Sequence, residues 1–321
     1  MKLPDLSSLE QAANIVYTAM PPTPQFSWPL LTQYLGTELW VKHENHTPLG
    51  AFKVRGGLVY FEGLRRNNPK ISGVIAATRG NHGQSVAFAA QRYGLKAVVV
   101  VPHGNSREKN EAMRARGVEL IEHGSDFQDA LEHAERLAHE RGLHLVPSCH
   151  EALVHGVASY SLELFHAVPD LHTLYVPIGL GSGICGAILA REALGLKTEI
   201  VGVVSESAPA YAESFLTRSK VSRPVTSTIA DGMACRTPNE EALELILKRV
   251  ERIVTVPDSA IRASMRRIYV ATHNIAEGAG AAAFAAAVQE RGRVQGRRVA
   301  IVLTGANVDS DVFAEVLSEK D

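Results

Sequence analysis

Residues 173–186 read TLYVPIGLGSGICG, a short apolar run that passes into glycines and then into a helical pattern. The run 173–178 predicts a buried parallel strand, because it is short, apolar and contains β-branched and aromatic residues. Glycines after a strand let the backbone approach an anion closely, and the dipole of the following helix favours negative charge. The stretch therefore predicts a strand, an anion-binding turn and a helix in succession.

The same alternation of strand and helix recurs along the chain. Further buried strands are predicted at 73–77, 97–101, 199–204 and 298–303. The helical patterns between them stop at glycines, which are helix C-cap signals, at Tyr93-Gly94, Arg116-Gly117, Arg141-Gly142 and Leu194-Gly195. This order predicts a doubly wound α/β fold whose ligands bind beyond the carboxyl ends of the strands. No Pro/Ser-rich linker interrupts the chain, so a second domain is expected to be interleaved with the first.

Composition and charge exclude several classes of protein. The 33 basic and 34 acidic residues give a net charge of -1, which provides no basic excess for binding nucleic acid. The N-terminus lacks the apolar core of a signal peptide, and the longest apolar run, 279–288, is too short and too rich in alanine to span a membrane. Three scattered cysteines suit a reducing compartment. We therefore expect a soluble, cytoplasmic protein without membrane or nucleic-acid partners.

Lys53 is the candidate for amine chemistry. It lies in the segment 42–57, KHENHTPLGAFKVRGG, after a Pro/Gly turn and between Phe52 and Val54. Lysine side chains are seldom fully buried, so a solvated surface charge is the plain alternative. The apolar neighbours instead favour the desolvated amine that Schiff-base chemistry needs.

Two more loops follow predicted strands. The loop 78–84, TRGNHGQ, precedes a helical pattern, and free N–H groups there suit a carboxylate or a phosphate. Thr78 or Asn81 can equally serve only as a helix cap. Thr304, after the strand 298–303, can donate its hydroxyl to a ring nitrogen or can cap the last helix.

The glycine loop also supports a competing hypothesis. Gly181, Gly183 and Gly186 match G-x-G-x-x-G, and Glu206 lies twenty residues beyond, which is the spacing of a dinucleotide fingerprint. An NAD-dependent oxidoreductase therefore has to be considered.

Together the four loops resemble those of fold type II pyridoxal 5′-phosphate enzymes, and within them the threonine and serine dehydratase, or ammonia-lyase, family. The resemblance is collinear from about Thr23-Pro24 to Asn307. It implies two doubly wound open-sheet domains of the tryptophan synthase β-subunit type. The larger domain is expected at about 1–65 and 154–321, and a smaller, mobile domain at 66–153. It also implies a homodimer, while a non-catalytic module that binds the cofactor or an amino acid on the same fold stays open.

The resemblance assigns roles residue by residue. Lys53 matches the lysine that carries the cofactor and is the expected catalytic residue. Cofactor contacts are implied for Phe52, Lys53, Asn81, Gly179, Leu180, Gly181, Ser182, Gly183 and Thr304. Substrate contacts are implied for Thr78, Arg79, Gly80, Asn81 and His82. Weaker supporting matches are 230–234, ADGMA, and 277–281, EGAGA.

The activity that the resemblance implies is removal of water and then ammonia from a small β-hydroxy amino acid. L-threonine and L-serine are the first choice, and the products are a 2-oxo acid and ammonia. Arg79 stands where serine racemases carry an acid/base serine, and its guanidinium stays protonated, so racemisation is expected to be poor. Turned inward, Arg79 suits a carboxylate, which keeps 3-hydroxyaspartate as an alternative substrate; turned outward, it is a surface charge.

No metal ion is expected. Several relatives have a cation site that begins with a glutamate just after the strand matching 199–204. Here that position is Val204, and the nearest carboxylate is Glu206. We therefore expect weak or no dependence on magnesium or calcium.

Overall fold

The computed structural model describes residues 1–226 and 229–320, and within them ten strands form two sheets. The strands are β1 (Gln25–Ser27), β2 (Leu39–His43), β3 (Gly73–Ala77), β4 (Lys96–Val101), β5 (Glu119–Glu122), β6 (His144–Leu145), β7 (Thr173–Pro177), β8 (Glu199–Ser205), β9 (Arg252–Val256) and β10 (Val299–Leu303). The helices are α1 (Leu6–Tyr17), α2 (Pro29–Leu35), α3 (Lys53–Asn67), α4 (Asn81–Arg92), α5 (Arg107–Arg114), α6 (Phe127–Arg141), α7 (Glu151–Ala167), α8 (Ser182–Ala193), α9 (Ala210–Thr217), α10 (Glu240–Arg249), α11 (Asp258–Thr272), α12 (Gly278–Gln289), α13 (Arg291–Val294) and α14 (Ser310–Ser318).

The six-stranded sheet has the order β1-β2-β10-β7-β8-β9 and is parallel except for the edge strand β1. Its strand β10 lies between β2 and β7, so the two ends of the chain contribute to one sheet. Alternate residues of β7 face opposite sides: Leu174 and Val176 pack with α7 and α8, whereas Tyr175 packs with α11 and α12. Both faces are therefore covered by helices, as parallel sheets require.

The four-stranded sheet has the order β5-β4-β3-β6 and is parallel throughout. Val74 and Ala76 of β3 pack with α4 on one face, and Ile75 and Ala77 pack with α6 on the other. Both sheets are thus doubly wound, and the predicted α/β fold class is confirmed. The five predicted strands are found within one residue of their predicted limits, and the four glycines predicted as helix stops, Gly94, Gly117, Gly142 and Gly195, have positive φ angles between 63° and 77°.

The apolar run 279–288 belongs to α12, which is buried along nearly its whole length between the six-stranded sheet and α11. A Cβ atom at Gly280 would lie only 2.4 Å from the carbonyl oxygen of Gly305, so glycine is required for α12 to approach the loop after β10. None of the described helices combines the length and the apolar character needed to cross a membrane.

A buried ion-pair network fixes the start of α3. Arg55 bonds to Glu44 at 2.7 Å and to Glu163 of α7 at 2.6 Å, and Lys42 of β2 lies 2.6 Å from Glu163. The side chains of Lys42, Glu44 and Arg55 are fully buried. Two acids balance two bases, which keeps the desolvated charges paired. Since Arg55 is two residues from Lys53, the network positions the first turn of the helix that carries this lysine.

Candidate active site

Lys53 is the first residue of α3 and lies between the loop after β10 and the glycine loop after β7. The backbone of this segment is attached to the loop after β10, because the Phe52 N–H donates to the Thr304 carbonyl at 3.1 Å and Ala51 pairs with Gly305. The Lys53 ammonium donates to Ser182 Oγ at 2.9 Å and lies 4.8 Å from the centre of the Phe52 ring. Burial lowers the pKa of Lys53 to about 8. The structure thus presents an amine that is partly neutral near physiological pH.

The glycine loop 179–183 leads from β7 into α8. Gly181 has φ of +101° and serves as the N-cap of α8. The carbonyl oxygens of Leu180 and Gly183 accept hydrogen bonds from Tyr211 and Tyr160 at 3.0 and 2.9 Å. The carbonyls are thereby fixed by tyrosine hydroxyls. The N–H groups in the first turn of α8 have no acceptor inside the helix, which suits a phosphate.

The loop 78–82 leads from β3 into α4. The Thr78 hydroxyl accepts hydrogen bonds from the N–H groups of Gly80 at 2.9 Å and Gly83 at 3.2 Å, so it caps this turn as the plainer sequence interpretation expected. Burial and the nearby Lys53 ammonium lower the pKa of His82 to about 3, and its Nε2 has no partner among the described residues. His82 is therefore neutral.

Asn81 does not cap α4 with its side chain. Its amide nitrogen donates to Glu277 at 2.7 Å, and its amide oxygen accepts from Asn307 at 2.8 Å. Glu277 also lies 3.3 Å from the ammonium of Lys109, which bonds to Asp231 at 2.8 Å. A buried polar network therefore surrounds the residue that the resemblance places beside the cofactor ring.

Thr304 is buried at the end of β10. The alternative that it caps the last helix is wrong, because α14 begins at Ser310 and its N-cap is Asp309. The Thr304 backbone carbonyl accepts the hydrogen bond from Phe52, which fixes the segment that carries Lys53 against the end of β10.

Arg79 is half-buried in the loop 78–82. Its Nε is shielded from solvent and has no hydrogen-bond partner among the described residues. A guanidinium in such a position is an available donor for an anion. The structure therefore does not place this side chain wholly in solvent.

The two sheets meet beside this site. Ser106 Oγ and the N–H groups of Arg107 and Glu108, at the start of α5, donate to the Asp309 carboxylate at 2.5 to 3.2 Å. In return, Glu108 accepts from the backbone N–H and hydroxyl of Ser310 at 2.8 and 2.6 Å. The N-termini of α5 and α14 thus cap each other across the boundary between the sheets.

The structure brings most of the predicted residues together at the carboxyl ends of β3, β7 and β10. Sequence reasoning missed Lys109, whose run Arg-Glu-Lys-Asn-Glu is typical of an exposed helix and gives no signal of burial. Glu277 and Asp231 were included only in weak supporting motifs. The structure adds these three charged groups to the site.

Fold and site together define a doubly wound α/β enzyme that combines a desolvated amine with an anion-binding glycine loop. The family model for pyridoxal-phosphate-dependent enzymes matches residues 16–305, and the chain belongs to this family. Its cofactor is pyridoxal 5′-phosphate, which decides against the nicotinamide cofactor. The residues present fit the group, since they offer an amine, a helix N-terminus for a phosphate, and the unpartnered nitrogens Arg79 Nε and His82 Nε2.

Known relatives agree with this assignment. The chain is 32% identical to L-threonine ammonia-lyase of Thermotoga maritima, over 90% of this chain and 72% of the relative. It is 29% identical to L-threo-3-hydroxyaspartate ammonia-lyase of Saccharomyces cerevisiae, over 100% of this chain and 98% of the relative. The processed form of threonine deaminase isoform 2 from Solanum lycopersicum superposes with a TM-score of 0.89 at 28% identity, covering 99% of this chain and 95% of that one. The chain spans 58% of the length of the biosynthetic L-threonine dehydratases of Salmonella typhimurium and Escherichia coli.

Proposed function

We propose that this protein catalyses β-elimination of water from a small β-hydroxy amino acid, L-threonine or L-serine in the first place, with release of a 2-oxo acid and ammonia. The observation that carries the proposal is the desolvated Lys53 amine at hydrogen-bond distance from Ser182, the first residue after the glycine loop. The names of two relatives, L-threonine ammonia-lyase and threonine deaminase, support the choice of substrate.

The site residues have separate roles in this proposal. Lys53 bonds the cofactor, and Phe52 lies beside its ring. Asn81 would bond the ring hydroxyl, and Thr304 would offer its hydroxyl to the ring nitrogen. The phosphate is held by the loop Gly179, Leu180, Gly181, Ser182 and Gly183, and the substrate by the loop Thr78, Arg79, Gly80, Asn81 and His82.

Lys53 carries the proton transfer. The Lys53 Nζ would take the α-proton of the substrate, and its lowered pKa keeps a useful fraction of this amine neutral for the purpose. Bound pyridoxal phosphate supplies a conjugated system that spreads the negative charge left on the α-carbon. The neutral hydroxyl of Thr304, unlike a carboxylate, does not hold the ring nitrogen protonated. With the cofactor bound, this would favour elimination over transamination.

We further propose that the two sheets mark two domains, one at about 1–65 and 154–321 and a mobile one at 66–153. The contacts of α5 with Asp309 and Ser310 support a closed arrangement that excludes water from the site. A homodimer in the cytoplasm completes the proposal; three unpaired cysteines, Cys149, Cys185 and Cys235, are in keeping with a reducing compartment.

A second candidate substrate is 3-hydroxyaspartate. The similarity to the yeast L-threo-3-hydroxyaspartate ammonia-lyase over nearly the full length of both chains supports it. The unpartnered Arg79 Nε also supports it, because a second substrate carboxylate would give this guanidinium an acceptor.

The proposal is tested by measuring 2-oxo acid formation. Protein reconstituted with pyridoxal phosphate is incubated with L-threonine, L-serine and the 3-hydroxyaspartate isomers, and Lys53→Ala is the matched inactive variant. We expect 2-oxo acid and ammonia in equal amounts from at least one of these substrates with the wild type. Protein that binds the cofactor but converts none of them would instead support a non-catalytic binding module.

A further inference from the structure

Glu277 is a buried carboxylate between the two sheets. It is the N-cap of α12, and its backbone N–H donates to the Gly305 carbonyl at 3.0 Å, which anchors it beside the loop after β10. Its side chain is 4% exposed. One carboxylate oxygen accepts from Asn81 at 2.7 Å, and the other lies 3.3 Å from the Lys109 ammonium.

The hydrogen bonds around Asn81 determine which way its amide faces. The amide nitrogen of Asn307 lies 2.8 Å from the Leu49 carbonyl oxygen, which can only accept. The same nitrogen lies 2.8 Å from the amide oxygen of Asn81, so the Asn81 nitrogen must face Glu277. One of its two hydrogens bonds to Glu277, and the other remains for a further acceptor.

The acceptor on this side of Asn81 is a carboxylate with a nearby counter-ion. Burial raises the pKa of Glu277, the Lys109 ammonium opposes that rise, and the Asp231 carboxylate adds to it. Lys109 is itself buried, and the carboxylates of Glu277 and Asp231 raise its pKa. The Lys109 charge therefore favours the ionised Glu277, and a hydrogen bond to a carboxylate is stronger than one to a neutral acceptor.

We propose that Glu277 is a positioning residue that acts through Asn81. It holds the Asn81 amide with its second N–H available to pyridoxal phosphate, while Asn307 holds the amide oxygen. This inference rests on the cofactor contact proposed above for Asn81. Asn81 and Lys109 lie in helices beside the four-stranded sheet, whereas Glu277 precedes α12, which packs on the six-stranded sheet. The orientation of Asn81 therefore depends on contact between the two parts of the structure.

The test is a double-mutant cycle on cofactor affinity. The dissociation constant of pyridoxal phosphate and the visible absorption spectrum are measured for wild type, Glu277→Gln, Asn81→Ala and the double variant. We expect Glu277→Gln alone to weaken binding roughly tenfold, as for a lost charge-assisted hydrogen bond. In the Asn81→Ala background, Glu277→Gln should weaken cofactor binding little further, because the Asn81 amide through which Glu277 acts is absent. Glu251→Gln, at an exposed glutamate, is the matched control and should leave affinity and spectrum unchanged.

Two results would overturn the inference while leaving the proposed function intact. The first is wild-type affinity and spectrum in Glu277→Gln; the second is a loss that is additive with that of Asn81→Ala, as expected for a merely structural effect. Thermal unfolding of each apo-protein shows whether the variants fold. If Glu277→Gln does not fold, Asn307→Leu removes the other anchor of Asn81 and must then weaken cofactor binding in the same non-additive way. A wild type that binds no pyridoxal phosphate would overturn both proposals.

Discussion

The Lys53 ammonium lies 2.9 Å from Ser182 Oγ, which joins the first residue of α3 to the first residue of α8. The two residues are far apart in sequence, and each follows a loop at the carboxyl end of a different strand. The bond therefore brings an amine to the N-terminus of a helix, where an anion is stabilised. An aldehyde cofactor that also carries a phosphate needs both groups in this proximity.

The lowered pKa of Lys53 predicts the pH dependence of cofactor addition. Because burial lowers this pKa from 10.5 to about 8, the neutral amine becomes the major form above about pH 8. The rate at which apo-protein reacts with pyridoxal phosphate should rise with pH, with a midpoint near 8, and then level off. Rapid-mixing absorbance measurements check this, and a rate that continues to rise to about pH 10 would show an amine with the ordinary pKa of lysine.

The lowered pKa of Lys53 also predicts how the stability of the apo-protein changes with pH. Between about pH 8 and pH 10 the unfolded chain still binds the Lys53 proton, whereas the folded apo-protein has released it. The contribution of Lys53 to the free energy of unfolding should therefore become more favourable as the pH rises through this window. Urea denaturation measures the free energy of unfolding of wild type and of Lys53→Met across this range. The wild-type value minus the Lys53→Met value should increase with pH.

The buried network around Arg55 predicts a large loss of stability on substitution. Arg55→Met leaves Glu44 and Glu163 with only Lys42 to balance them, all in a buried environment. The free energy of unfolding should fall by about 3 to 5 kcal/mol, as for a broken buried ion pair. Urea denaturation measures this change. Arg66→Met, at an exposed position of the same helix, is the control and should change stability by less than about 0.5 kcal/mol.

Much of the fold could be predicted from the sequence because local signals and the fold agree. The run 173–177 is apolar enough for a strand that is buried on both faces, and Gly142 ends α6 in the left-handed conformation that glycine adopts without strain. The order of strands in the sheets could not be derived from such signals. That β10 pairs with β2 depends on contacts between the two ends of the chain, which periodicity does not encode.

The site shows the same division. The burial of Lys53 was predictable because this lysine lies between two apolar residues. The turn at the glycine loop was predictable because glycines after a strand allow a tight backbone turn. Lys109 was not predictable, since its burial depends on two carboxylates, Asp231 and Glu277, that approach it from distant segments. Thr78 accepts hydrogen bonds from the N–H groups of Gly80 and Gly83, whereas the N-cap residue of α4 is Gly80 itself, so the predicted role of Thr78 in substrate binding stays a prediction.

Arg79 predicts substrate selectivity. If its guanidinium binds a side-chain carboxylate, Arg79→Ala should lower kcat/KM for 3-hydroxyaspartate by about 100-fold or more, equivalent to about 3 kcal/mol, and spare L-threonine. Steady-state kinetics on both substrates, with Arg66→Ala as a surface control, measure the difference. Equal losses of kcat/KM on every substrate would show that Arg79 binds the α-carboxylate. An unchanged kcat/KM would show that Arg79 does not contact the substrate.

Metal removal is predicted to have little effect. Val204 is buried within β8, and Glu206 is exposed just beyond this strand. In the described ranges 1–226 and 229–320, no group of three or more His, Cys, Asp or Glu side chains is arranged to hold a metal ion. We expect activity to persist in chelator, because Val204 occupies the position that the resemblance matches to the glutamate of the cation site. A large loss that magnesium or calcium restores would indicate that Glu206 provides a cation site.

The most direct test of the account is to locate the cofactor on the chain. Borohydride reduction of the yellow holo-protein, followed by proteolysis and mass spectrometry, should find the pyridoxyl group on the peptide that contains Lys53, and Lys53→Ala should carry no label. Finding the group on another lysine, or recovering no bound cofactor after reconstitution, would contradict the assignment of this site.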